Sequence, residues 1–332
     1  AKGVNRIKTL NALCYAYAYV QADSARAYGL EALNLQGNSQ TALLAETLHN
    51  LAIVSQVQSR YEEALSYDEQ TLTIRTGLKD SVGMADSFNN IAIIYDEQGR
   101  YSEAVQYYLK AYELYKKHGS ELKLALVNVN LGVVYKGMGD FSNSIANYRE
   151  ALALFTRMSR AYEIAVCQVN LGSVFISVSR YDSALVYSLR AEESFRKLGY
   201  ARFQTVALGN AGIAYGKLGK IKEGVYYLQQ AIDLHQKNNN TKELSFCYLK
   251  LAELYFNNNN ANEAIEAAQL ALQTSVETKI WQQQADAHQL LATLLDQSKN
   301  FKQAFYNQKN YVQLKDSLFQ KEKVKQIREL QI

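Results

Sequence analysis

Four histidines, three cysteines and one recurring asparagine are the residues of this chain whose chemistry could support an activity. His49, His118, His235 and His288 stand far apart at unrelated positions of the pattern described below, with no His-Glu-x-x-His pair. Cys14, Cys167 and Cys247 form no Cys-x-x-Cys, and an odd, sparse set is not a disulfide framework. Gly137-Met138-Gly139 resembles a fragment of a phosphate loop, but the lysine and hydroxyl of such a loop are missing and the glycines fall at a turn. Asn239-Asn240-Thr241 matches a glycosylation sequon inside an Asn-rich stretch that reads more simply as a loop. No catalytic constellation and no metal or cofactor site is expected, so an enzyme is the weakest reading. What remains is a polar side chain that returns at a fixed interval: Asn50, Asn90, Asn130, Asn170 and Asn210. One amide per unit, each able to give and accept a hydrogen bond, is chemistry suited to holding a peptide backbone.

The elements that would carry these amides follow from composition and period. The 332 residues include no proline, and 48% are hydrophobic, which points to a packed chain that is helix almost throughout. The 36 basic and 32 acidic residues are interspersed and sum to +4, so no nucleic-acid partner is expected. The longest apolar stretches are short and interrupted, and no membrane insertion within this chain is expected. Asn90-Ile91-Ala92, Tyr95, Gly99, Tyr101, Ala104, Tyr108 and Ala111 recur forty residues later as Asn130-Leu131-Gly132, Tyr135, Gly139, Phe141, Ser144, Tyr148 and Ala151. The pattern continues through Asn170-Leu171-Gly172 and Asn210-Ala211-Gly212 to Ala252 and Ala292, and back to Asn50-Leu51-Ala52. A first, looser unit fits Ala12, Tyr15, Ala25 and Ala32 if its turn is one residue longer. A small residue with an aromatic three positions on marks one helix face, a Gly turn follows, and small residues seven apart mark a second. The spacing predicts helices at 41–58, 61–77, 81–98 and 101–117, recurring every forty residues. The small residues Gly132, Gly172 and Gly212 should sit at helix crossings.

These residues resemble the tetratricopeptide repeat over nearly the whole chain, with a period of 40 in place of 34 and without the usual closing proline. The resemblance implies an all-α, right-handed superhelical solenoid of about eight helix-turn-helix repeats. Their boundaries fall near 1–38, 39–78, 79–118, 119–158, 159–198, 199–238, 239–278 and 279–310. The longer period requires longer helices or a longer connection. Bacterial Rap-type quorum-sensing receptors, spindle-orientation scaffolds and kinesin light chains use a similar long repeat.

In such a solenoid the first helix of each pair lines the concave groove, and the asparagine two before the small residue lies nearly opposite that helix's core face. The five amides then form a ladder for an extended peptide, or they cap and bridge neighbouring helices. Beside them Val129, Val133, Val166, Val169, Ile213, Phe246 and Leu249 make the middle of the groove apolar, while Glu46, Asp86 and Asp286 place acids toward its ends. These apolar residues are either contacts between neighbouring helices or a patch for a partner. A peptide or protein segment is the expected ligand, and the chain is expected to act as a binding module. It would be either the input region of a larger signalling protein or a free-standing scaffold.

Residues 311–332 read as a capping helix or the start of a coiled coil. Tyr311, Leu314 and Leu318 form a capping stripe, and Val324, Ile327 and Leu330 give spacings of three beyond it. The stretch resembles the segment that joins tetratricopeptide input regions to a coiled coil in bacterial sensor histidine kinases. That implies a periplasmic location if the chain is such an input region and a cytoplasmic one otherwise. It also allows a homodimer through this helix.

Overall fold

The computed structural model describes residues 2–37, 41–238, 241 and 243–330; of Lys2 and of residues 321–330 it describes the backbone. Sixteen helices and no strand occur among the described residues. They are α1 (Lys2–Tyr17), α2 (Ala22–Gln36), α3 (Ala42–Val57), α4 (Tyr61–Gly77), α5 (Ser81–Glu97), α6 (Tyr101–Lys117), α7 (Glu121–Gly137) and α8 (Phe141–Arg157). Then follow α9 (Ala161–Ser177), α10 (Tyr181–Leu198), α11 (Ala201–Lys217), α12 (Ile221–Lys237), α13 (Leu244–Asn257), α14 (Ala261–Glu277), α15 (Trp281–Gln297) and α16 (Phe301–Leu330). The expected helices at 41–58, 61–77, 81–98 and 101–117 are α3 to α6 to within one residue. All of this is an all-α helical-repeat fold.

The long period is taken up in helix length. Most helices run 17 residues and most connections only three. Reversing direction in three residues needs one left-handed residue to end each helix. Gly99, Gly139 and Gly219 take φ near 77° at that position. Ser59, Lys79, Ser159, Ser179, Asn259, Lys279 and Lys299 adopt the same region at the equivalent places, twenty residues apart, at a steric cost glycine avoids. The next N–H then closes the helix end: Arg100 N donates to Tyr95 O at 2.8 Å, Asp140 N to Tyr135 O at 2.9 Å, and Lys220 N to Tyr215 O at 3.0 Å. The turn between two helices of a pair and the turn between pairs are thus one motif used twice. At two helix starts an aspartate caps the next turn, Asp80 Oδ1 accepting from Gly83 N at 2.9 Å and Asp140 Oδ1 from Asn143 N at 3.1 Å.

Within a pair, small residues admit large ones. A Cβ on Gly132 would stand 2.7 Å from the Tyr148 ring, and one on Gly212 would stand 2.7 Å from Leu228 Cγ and 3.0 Å from the Gly224 carbonyl. Both glycines and Gly172 are buried at these crossings, as the spacing predicted. Aromatic pairs at one repeat position tie the two helices together: Tyr95 with Tyr107 at 5.5 Å between ring centroids, Phe175 with Tyr187 at 5.5 Å, and Tyr215 with Tyr227 at 5.2 Å. The first pair departs from the expected register. Ala12 and Tyr15 are exposed, and Ile7, Leu10, Asn11 and Cys14 form the buried seam of α1 instead, continued by Ala18 just past its end. No helix precedes α1 among the described residues, so its orientation is set only by α2 and α3.

Two compact units are formed, Ala1–Ser159 and Arg160–Ile332. In the first, α1 packs on α3, α3 on α5 and α5 on α7; in the second, α9 packs on α11, α11 on α13 and α13 on α15. No comparable packing joins one second helix to the next among the described residues. The first helices are therefore the crowded inner layer of each unit, and the second helices are spread outside it.

Candidate functional site

The open side of the inner layer is where a ligand would meet this chain, and the side chains that reach it differ from the expected set. Four of the five recurring asparagines are occupied within the chain. Asn50 Nδ2 donates to the Asn11 carbonyl of α1 at 3.1 Å, Asn130 Nδ2 to Asn89 Oδ1 of α5 at 3.3 Å, and Asn210 Nδ2 to the Val169 carbonyl of α9 at 3.3 Å. Asn90 Nδ2 donates to Asp68 Oδ2 of α4. Asn50, Asn90 and Asn210 are buried, Asn130 and Asn170 half-buried. The ladder of free amides is thus corrected to a set of bridges from one repeat to the one before it. The cause is geometric. Within each unit the face of a first helix opposite its own second helix is not free, because the first helix of the preceding repeat lies against it. Asn170 alone of the five has no hydrogen-bond partner among the described residues.

The apolar positions divide in the same way. Val169 and Leu249 are buried between helices, Val129, Val166 and Ile213 are half-buried, and Val133 and Phe246 are exposed. Leu126 and Val206, six residues before the small residue like Phe246, are exposed as well. Of the expected acids, Asp86 is held by Lys123 Nζ at 2.6 Å and by the Tyr115 hydroxyl at 2.7 Å.

In the second unit these positions close into a cleft of about 430 Å³ between α13 and α15. From α13 come Phe246, Leu249, Lys250, Glu253 and Phe256; from α15 come Gln283, Asp286, Gln289, Leu290 and Thr293. Eight of these ten stand six, three or two before, or one after, the small residues Ala252 and Ala292, so the repeat phase alone places them on one face. Phe256 and Gln283 lie outside that phase and went unnoticed in the sequence; each is one or two turns along the same helix face. The lining mixes the apolar side chains of Phe246, Leu249, Phe256 and Leu290 with one cation, Lys250, and two acids, Glu253 and Asp286. Lys250 Nζ pairs with Glu253 at 2.7 Å and lies 5.5 Å from the centre of the Phe246 ring. Asp286 accepts from Gln282 Nε2 at 2.7 Å. Acids beside apolar side chains favour a ligand that places a basic group next to an apolar one.

Of the remaining reactive side chains His118 is exposed and stands alone at the end of α6, and the others are wholly or partly enclosed. His49 Nδ1 lies 3.2 Å from Asp68 Oδ1, and Asp68 has no exposed surface. Asp68 occupies the repeat position of the buried Tyr108 and Tyr148. Burial pushes its carboxyl above the usual range, against the opposing hydrogen bonds from His49 and Asn90. Neighbouring Arg75 is spent on the Gly83 carbonyl at 2.7 Å and on Ser87 Oγ at 3.0 Å. A carboxylate so enclosed has no access to a substrate. His288 bonds Asn307 at 2.8 Å, and burial lowers the pKa of His235. The three thiols are buried, which pushes Cys14 up to about 11 and Cys167 and Cys247 to about 12. Among the described residues no three His, Cys, Asp or Glu converge as metal ligands, and no helix is long and apolar enough to cross a membrane. Asn239 and Asn240 of the sequon, and the side chains of Val324, Ile327 and Leu330, lie outside the described residues.

Comparison with known proteins completes the assignment of the fold. No curated protein sequence matches the chain. Solved structures with the same fold include a Rap protein complexed with Competence and Sporulation Factor (17% identity, 96% of this chain and 99% of that one covered, TM-score 0.60). The apo form of the quorum sensor NprR from B. thuringiensis is similar at 16% identity, over 92% and 87% of the two chains, with a TM-score of 0.66. A signal transduction ATPase with a tetratricopeptide repeat sensor, from Pyrococcus horikoshii, aligns at 12% identity over 97% of this chain and 50% of that one, with a TM-score of 0.73. The model of the tetratricopeptide repeat family matches residues 43–117 and 123–197, spans that begin and end within two residues of the helix quartets α3–α6 and α7–α10. These two spans match the tetratricopeptide repeat family, and the described chain shares the all-α helical-repeat fold of these solved structures.

Proposed function

We propose that this chain is a non-catalytic recognition module that holds a peptide or protein segment against its inner layer, with the α13–α15 cleft seating one apolar side chain. The observation that carries this reading is the composition of the cleft. Its lining comes mostly from the repeat positions that face away from the second helices, and it sets the apolar side chains of Phe246, Leu249, Phe256 and Leu290 beside Lys250, Glu253 and Asp286. A single apolar side chain entering it would contribute about 1.5–3 kcal/mol. Exposed Val206 on α11, at the same repeat position as Phe246, extends the apolar track along the unit. Similarity to a quorum sensor, to a Rap protein complexed with Competence and Sporulation Factor and to a signal transduction ATPase with a tetratricopeptide repeat sensor supports a role as the input region of a signalling protein.

Random peptides displayed on phage, selected on the immobilised protein, test this reading. The expected result is a set of peptides pairing an apolar residue with a basic one, whose binding falls at least tenfold in Phe246→Asp while circular dichroism stays unchanged. No enrichment, or enriched peptides that bind Phe246→Asp and Val206→Asp as well as the parent, would refute it.

A further inference from the structure

The row of recurring asparagines breaks at the α13–α15 cleft. The repeat position of Asn50, Asn90, Asn130, Asn170 and Asn210 is held on α13 by Lys250 and on α15 by Leu290. Asn50, Asn130 and Asn210 use that position to reach the first helix of the preceding repeat. The partners of Lys250 lie on its own helix instead. Its Nζ donates to Glu253 Oε1 at 2.7 Å and stands 5.5 Å from the centre of the Phe246 ring. Phe246, Lys250 and Glu253 are spaced by four and then three residues, so they follow one another along one face of α13. All three line the cleft.

An ammonium between an aromatic ring and a carboxylate is attracted by both. Apolar surface with an acid beside it is also what the cleft offers to a basic, apolar ligand. Lys250 is thus a cation of the chain itself, standing where a cation of the ligand would stand. Its hold is not a buried one. The side chains of Lys250 and Glu253 are 28% and 40% exposed, and ion pairs so open to water are weak. The four-carbon stem lets the ammonium swing out to solvent without moving α13. Across the cleft Asp286 accepts from Gln282 Nε2, and no cation pairs with it among the described residues. Lys250 and Glu253 cancel, so Asp286 is the one charge of the lining left over.

We infer that Lys250 is a built-in competitor for the basic group of the ligand, which binds between Phe246, Glu253 and Asp286 by displacing the Lys250 ammonium. The inference rests on the reading of this cleft as a recognition site for an apolar residue paired with a basic one. Lys250 then acts as a specificity residue. A neutral apolar ligand gives Glu253 nothing in exchange and leaves the Lys250–Glu253 pair in place. A basic ligand replaces that pair with its own and gains Asp286 besides, but its net affinity is lowered by the contact it has to break.

The probes are two dipeptides with blocked ends, acetyl-Leu-Lys-amide and acetyl-Lys-Leu-amide, and their counterparts with norleucine in place of lysine. Each is titrated against the full chain and followed by ligand-observed NMR. Lys250→Met keeps the length of the stem and removes the charge. It should tighten the better lysine dipeptide at least fivefold and its norleucine counterpart less than twofold. Lys302→Met removes the same charge from an exposed place on α16 outside the cleft and should change neither. Circular dichroism of both variants checks the fold. Equal binding of the lysine dipeptide to parent and Lys250→Met would overturn the inference and leave the recognition reading standing. A gain in Lys302→Met as large as in Lys250→Met would also overturn it, because net charge alone would then be the cause. Weaker binding to Lys250→Met would make Lys250 a ligand contact and not a competitor. If no dipeptide binds either chain, the inference falls together with the reading on which it rests.

Discussion

A knob-and-slot fit between two repeats can be measured at Leu254 of α13 and Gly216 of α11. Leu254 is 6% exposed and its methyl groups rest where Cβ atoms of Gly216 and Gly224 would be. Leu254→Ala removes three carbons from this contact and should cost about 2–5 kcal/mol, as other buried leucine truncations do. Gly216→Ala acts in two directions. In the last turn of α11 it gains at most about 1 kcal/mol of propensity, while overpacking against Leu254 costs about 1–3 kcal/mol. The single variant should therefore lie between neutral and about 3 kcal/mol less stable. With Leu254→Ala already present the obstacle is gone, and the same Gly216→Ala change should stabilise by at most about 1 kcal/mol. The two substitutions are then coupled by about 1–3 kcal/mol. Urea unfolding would be followed by far-UV circular dichroism and by the fluorescence of Trp281, the one tryptophan, at the start of α15 in the same unit. Coincident transitions license the free-energy comparison. If the four chains give additive effects within about 0.5 kcal/mol, the two residues do not share a packing site and the knob-and-slot account is wrong.

Two further outcomes follow from the polar interior. Burial raises the pKa of Asp68, so the folded chain holds that proton to higher pH than the unfolded chain does. Its contribution is favourable at low pH and is lost as pH rises through the raised value. Asp68→Asn should therefore gain stability relative to the parent as pH rises above about 4, and a difference that stays flat with pH in denaturant titrations would refute this. Asn90→Ala leaves Asp68 Oδ2 without its donor and should cost about 1–3 kcal/mol, whereas Asn170→Ala, which breaks no hydrogen bond, should change stability by less than about 0.5 kcal/mol. Equal effects on the unfolding midpoint would show that the asparagines do not differ as the structure says.

The recurring asparagines mark where reading the sequence stopped working. Their period was plain, and the helical phase correctly turned them away from their own second helices. That phase is calculated for one helix alone, and it carries no information about which neighbour lies on the far side. Asn130 and Asn210 point to the preceding first helix, and only its presence turns a candidate ligand contact into a structural bridge. The α13–α15 cleft was half legible by the same logic. Phe246, Leu249, Asp286 and Leu290 were on the right face, but nothing in the pattern distinguished Phe246, which is open, from Leu249, which is covered. Asp68 was not legible at all. It sits at a position that repeats as tyrosine or another core residue, and its partners His49 and Asn90 come from two other helices.

The sequence by itself determined the helices, their pairing, their turns and their period, because each depends on residues within one or two turns of one another. A small residue, an aromatic three on, a glycine able to take positive φ and alanines seven apart act locally and recur every forty residues along the chain. Tertiary structure decided which faces stay open. That depends on how first helices crowd against one another in each unit, and on the absence of a covering helix beyond Phe305 among the described residues. Exposure is a property of neighbours distant in sequence, so it enters only when the repeats are stacked.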